Sequence, residues 1–159
     1  MGGALGKHGV RQRRKTDNKA KGSGMNQRQR IAAETCLAGA TSNVMDFPGI
    51  VAALIDAGFE SYEVDFRRGE AVYFLPSGES IILPIHRDDN DIAASFDAAA
   101  IRAAIGEAQA NGPGYTYAGF CAKVKQAGCV SYIVSLAGRR ALYLGRTAEV
   151  HVELFPGAG

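Results

Sequence analysis

The sequence predicts a two-layer α+β fold in which one helix-helix-three-strand antiparallel unit is written twice around a shared core. Three observations predict it. The stretch AGFESYEVDFRRGEAVYF, from Ala57, returns 70 residues later as AGCVSYIVSLAGRRALYL, from Ala127. Sliding the chain against itself by that offset pairs residues 27–84 with 97–154 without a gap, and 14 of the 58 pairs are identical. Several of these are alanines in an alanine-rich chain, so the third observation carries more weight than the count. In both copies apolar residues recur at helical spacing, stop at a glycine, and resume with the period-two alternation of a strand.

Each element follows in order. The first helix, around Ile31, Thr35 and Ala38, has the weaker stripe of its pair. The second carries Phe47, Ile50, Val51 and Leu54 on one face and ends at Gly58, where a C-cap glycine belongs. Tyr62, Val64 and Phe66 then share one face of a strand. Turn chemistry at RRGE leads into a second strand, Ala71 to Leu75, and PSGE leads into a third, SIIL. The run HRDDND, from His86, reads as a charged linker capping the next helix.

In the second unit Asp97 is the expected N-cap of a helix carrying Ile101, Ala104, Ile105 and Ala108. Tyr117, Phe120, Cys121 and Val124 repeat the second stripe, and Gly128 repeats the cap. Tyr132, Val134 and Leu136 form the next strand face, AGRR leads to Ala141–Leu144, and GRTA leads to VHVEL. Two helices and three strands are marginal alone, so the units are expected to share one core, with helices covering one face of an antiparallel sheet.

Charge divides the chain differently. Its 159 residues carry a net +2, yet residues 1–30 hold nine Lys/Arg against Asp17 alone, leaving −6 on the remainder. Residues 1–24 have almost no large apolar side chains and read as a disordered basic leader, apart from a single domain over 25–159. Arg11, Arg13, Arg14 and Lys15 would suit an arm on nucleic acid; alternatively the leader is an extension preceding a natural start at Met25. The acidic body argues against nucleic-acid binding by the domain itself. No apolar run reaches membrane-span length and no signal-peptide core is present. Three cysteines without paired spacing (Cys36, Cys121 and Cys129) point to a reducing, cytoplasmic compartment.

The wording YTYAGFCAKVKQAGCVSYIVSLAGRRALYLGRTAEVHVELFP, together with FPGIVAALIDAGFESYEVDF, resembles the prophage-associated YbcV-like family of unknown function. The resemblance runs from about Met25 to Pro156 and excludes the leader. Some members are labelled phage envelope proteins, so it implies a phage-related setting, but it brings no catalytic signature.

Candidate chemistry lies where the two units differ. Glu149, His151 and Glu153 share one face of the last strand, opposite Val150, Val152 and Leu154, where the first unit places Glu79, Ile81 and Leu83. A histidine between carboxylates suits acid–base work or part of a metal site, and Arg146 on the preceding turn suits an anion. The simpler reading is a solvent-exposed strand face, where mixed charge discourages edge pairing. Tyr62, Tyr73, Tyr132 and Tyr143 read as half-buried packing residues with hydroxyl partners, and Cys121 and Cys129 as small core residues. No zinc spacing, calcium-loop register or Gly-rich dinucleotide fingerprint appears, so neither cofactor nor metal is expected.

The expected function is therefore non-catalytic binding or regulation, with a small polar ligand or a protein as partner. The alternative is a small enzyme whose acid–base or metal-assisted site centres on His151.

Overall fold

Helix starts are set by side chains that satisfy the first free backbone N–H groups. In the computed structural model, which describes residues 24–157, the Asn26 side chain accepts from Gln29 N while Gln29 returns a bond to the Asn26 backbone. That capping box opens α1 (Gln27–Thr41). Asp46 caps α2 (Phe47–Ala57) with Pro48 in its first turn, Asp97 caps α3 (Ala98–Ala110) and Thr116 caps α4 (Tyr117–Gln126). Each helix pair feeds a meander: β1 (Ser61–Asp65), β2 (Glu70–Phe74) and β3 (Ser80–Pro84), then β4 (Cys129–Ser135), β5 (Arg140–Gly145) and β6 (Val150–Leu154). The order ααβββ is thus repeated, as expected. The leader expectation lies on residues outside the described range.

The six strands form one antiparallel sheet ordered β3-β2-β1-β4-β5-β6. The central pair joins the units, with Tyr62 opposite Val134 and Val64 opposite Tyr132. Exchanging each residue for its repeat partner leaves this register unchanged. Glu63 pairs with Ile133, its own equivalent, so a pseudo-two-fold axis passes through that pair.

Gly128, at the joint between α4 and β4, lies close against the segment that connects the two units. Its φ is +87°, and a Cβ placed there would lie 2.3 Å from the Ser95 carbonyl oxygen. Only glycine combines that dihedral with that approach. Gly58, at φ +95° in the first unit, faces nothing closer than Gln29 Nε2 at 3.6 Å.

All four helices cover one face of the sheet, and a single core holds Leu54, Val64, Ile101, Val124 and Val134 from both units. On α1 the buried residues are Ala33, Cys36, Gly39 and Ala40, whereas Ile31 is half exposed. Small residues on the buried face let the helix sit close, so its stripe is weak in hydropathy but real in packing. The opposite sheet face is open, and Ile82, Val150, Val152 and Leu154 are exposed there.

The segment between the units is a strap rather than a helix cap. Arg87 donates to the carbonyls of Arg67 and Arg68, and Asp88 pairs with the buried Lys125 at 2.5 Å. Backbone bonds from Ala93 to Lys125 O and from Asp97 to Ala127 O hold the rest against the end of α4.

Candidate ligand-binding cavity

Period-two alternation places Tyr62 and Val64 on β1, Ala71 and Tyr73 on β2, and their equivalents Tyr132, Val134, Ala141 and Tyr143 on the helix-facing side. Cross-strand register then stacks the tyrosines in pairs. Tyr62 lies opposite Tyr73 with ring centroids 5.4 Å apart, and Tyr132 opposite Tyr143 at the same separation. Tyr115 and Tyr117 enter from the α3–α4 connection and the start of α4.

These side chains enclose a cavity of about 530 Å³ between the helices and the sheet. All six tyrosines of the chain line it. Its rim carries exposed residues of the connections after α1 and α3, among them Asn43, Val44 and Asn111. The volume and mixed lining fall within the range of small-molecule sites.

The hydroxyls decide its polarity. Tyr117 and Tyr132 share a hydrogen bond of 2.5 Å. Those of Tyr62, Tyr73, Tyr115 and Tyr143 have no partner among the described residues, yet no buried side-chain oxygen is orphaned there, so these four reach the cavity space. The expectation that the strand tyrosines would find protein partners holds for Tyr132 alone. Burial removes water from each phenol and raises its pKa, to about 12 for Tyr115 and further for the others. At neutral pH the cavity therefore presents neutral hydroxyls.

The last strand corrects the simpler reading of its charged face. His151 lies opposite Tyr143 and Glu153 opposite Ala141, so both turn toward the helices while Val150, Val152 and Leu154 face outward. His151 Nε2 is 2.9 Å from Glu153 Oε2, with the histidine side chain only 10% exposed. Glu153 lines the cavity.

The other two candidates stand apart from this pair. Glu149 accepts from the Thr147 hydroxyl in the β5–β6 turn, which holds its carboxyl below the ordinary range. Arg146 donates to the carbonyls of Ile92 and Ala93, clamping the strap. It borders a second, charged cavity of about 460 Å³, which also takes in Asp88, Lys125 and Cys121.

The thiols offer no ready nucleophile. Cys36, Cys121 and Cys129 are free, and burial pushes Cys121 and Cys129 up to about 12. Cys36 lines the tyrosine cavity, whereas Cys121 is half-buried against the second, charged cavity. Among the described residues there is no cluster of three or more His, Cys, Asp or Glu placed to hold a metal, and no helix long and apolar enough to cross a membrane.

The family model described as a protein of unknown function (DUF1398) matches residues 37–153, which includes both sheet halves and most of the cavity lining. The chain belongs to this family. No curated protein matches it. Family membership thus assigns the fold region without assigning chemistry, and the DUF1398 match ends at Glu153, the carboxylate of the cavity wall.

The tyrosine set was the part that sequence reasoning missed as a site. A signal was present: four of the six tyrosines fall at equivalent positions of the repeat, on strand faces that the helices must cover.

Proposed function

We propose that this DUF1398 protein is a binding protein that takes a small ligand into the tyrosine-lined cavity and does not transform it. One observation carries the reading: the six tyrosines converge on one cavity, and four of their hydroxyls have no partner among the described residues. In a site shaped only for stability, buried hydroxyls find protein partners. Here they are positioned to hydrogen-bond a guest while the ring faces supply apolar contact.

The chemistry of the wall supports binding over catalysis. His151 and Glu153 form a hydrogen-bonded pair, but the thiol on the cavity wall, Cys36, is pushed toward its protonated form by burial and supplies no ready nucleophile. Glu153 belongs to the ligand site in this reading, with His151 positioning it; Arg146 and Glu149 serve the turn and the strap.

The repeated order and symmetric register support an internal duplication whose joined halves create the cavity. The likeness to prophage-associated YbcV-like proteins supports a phage-related setting, and three free cysteines support a cytoplasmic one.

The test uses the absence of tryptophan, which leaves the cavity tyrosines as the fluorophores. Small aromatic and aliphatic compounds are screened by melting temperature and by tyrosine emission. A binder should raise the first and change the second. Ala108→Phe, which fills the cavity from α3, should abolish both responses in a folded protein. Binders whose effects survive Ala108→Phe unchanged would place binding elsewhere and overturn the proposal.

A further inference from the structure

We propose that the guest is an organic cation, an ammonium carried on an apolar or aromatic body, with its charge against Glu153 and the tyrosine rings. This rests on the cavity being a ligand site and adds the ligand's class.

The charge inventory is the first argument. Among the residues lining the cavity there are two carboxylates, Asp46 and Glu153, and no lysine, arginine or histidine. Asp46 sits at the rim and is engaged in capping α2 through Gly49 N. Glu153 lies on the wall, its side chain 28% exposed. An anionic guest would meet a like charge with nothing to neutralise it, and a neutral guest would displace water from the carboxylate without replacing its hydration. A cation restores the balance.

The second argument is the aromatic wall. Six tyrosines and three phenylalanines (Phe47, Phe120 and Phe155) present ring faces or edges to the same space. Such rings attract a cation through the negative charge of their faces, and a cage of them is a known solution for alkylated ammonium groups. The hydroxyls stay neutral, so the attraction comes from the rings and the carboxylate rather than from phenolates.

Geometry also orients the guest. His151 contacts Glu153 through Oε2 only, and Oε1 has no partner among the described residues. The contact with His151 fixes the orientation of the carboxylate on the wall. The equivalent of Glu153 in the first unit is Leu83, and the equivalent of His151 is Ile81. Among the strand residues that line the cavity, negative charge therefore lies on β6 alone. The charged end of the guest points toward β6 and its apolar end toward Tyr62 and Tyr73.

The experiment uses the full chain and three phenyl probes: phenyltrimethylammonium, its neutral isostere tert-butylbenzene, and the anion benzoate. Dissociation constants are measured by nuclear magnetic resonance titration. The cation should bind on the order of tenfold tighter than the isostere, and benzoate should not bind. Glu153→Gln should remove that preference by weakening the cation while leaving tert-butylbenzene unchanged. Equal binding of cation and isostere would overturn the cation assignment and leave the cavity reading standing. Failure of all three to perturb any tyrosine would count against the cavity reading as well. Should Glu153→Gln not fold, the wild-type ratio of cation to isostere decides alone.

Discussion

Ala71 and Ala141 occupy equivalent registers, opposite Val64 and Val134, and both are buried, at 0% and 5% exposure. Ala141 lines the cavity and Ala71 does not. Enlarging each to valine should therefore move stability in opposite directions. At position 141 the two added carbons enter open space, and at about 0.8 kcal/mol per buried CH₂ the gain has an upper bound of about 1.6 kcal/mol. Strand preference for a β-branched residue acts in the same direction. At position 71 the same carbons enter a packed interior, where overpacking costs about 1–3 kcal/mol. Urea unfolding followed by circular dichroism reads the difference as a shift in midpoint at constant slope. Ala141→Val should leave the midpoint unchanged or raise it, and Ala71→Val should lower it. An equal loss in both variants would mean that the cavity has no usable room, and the reasoning would fail.

Other predictions follow from the strap, the joint and the thiols. Lys125 holds the Asp88 carboxyl below its ordinary range, so the pair stabilises the fold fully above the unfolded Asp value, about 3.9, and this contribution is lost as pH falls through the lower folded value. Asp88→Asn should remove that segment of the pH–stability curve and destabilise at neutral pH by leaving the Lys125 ammonium buried without its partner, as urea titrations across acidic pH would show. Gly58→Ala should cost about 1–2 kcal/mol, the strain of a left-handed backbone, whereas Gly128→Ala should cost more because its Cβ also meets the Ser95 carbonyl. Equal melting temperatures for these two variants would contradict the close approach. With thiols at about 12, Cys121 and Cys129 should alkylate slowly in the native protein at neutral pH and rapidly after denaturation, measured by mass spectrometry with iodoacetamide.

The fold was legible because its signals are local. Gly58 and Gly128, the alternation around Tyr62 and Tyr132, and the turns between strands each specify a neighbour within a few residues, and their recurrence ties the halves together. The site was less legible because it depends on which face is covered. Alternation says that Glu149, His151 and Glu153 share a face, not that helices lie over it. The first unit held the answer, since Ile81 is buried and Ile82 exposed, and their equivalents are His151 and Val152. Charge suggested solvent at that face, but repeat position outranked residue type. The cavity is a long-range property: Tyr62 and Tyr143 reach the same space only after β1 pairs with β4. Arg146 misleads for a related reason, because its partners, the Ile92 and Ala93 carbonyls, are more than fifty residues away in sequence.

Ring-labelled tyrosine tests the central claim most directly, since all six tyrosines of the chain line the one cavity. Titrating the labelled protein with phenyltrimethylammonium should move the six ring signals together, with one common dissociation constant. Methyl signals of Ile82, Val150 and Val152, on the opposite sheet face and outside the cavity lining, should stay in place. Stationary tyrosine signals beside moving methyls of that outer face would contradict the account.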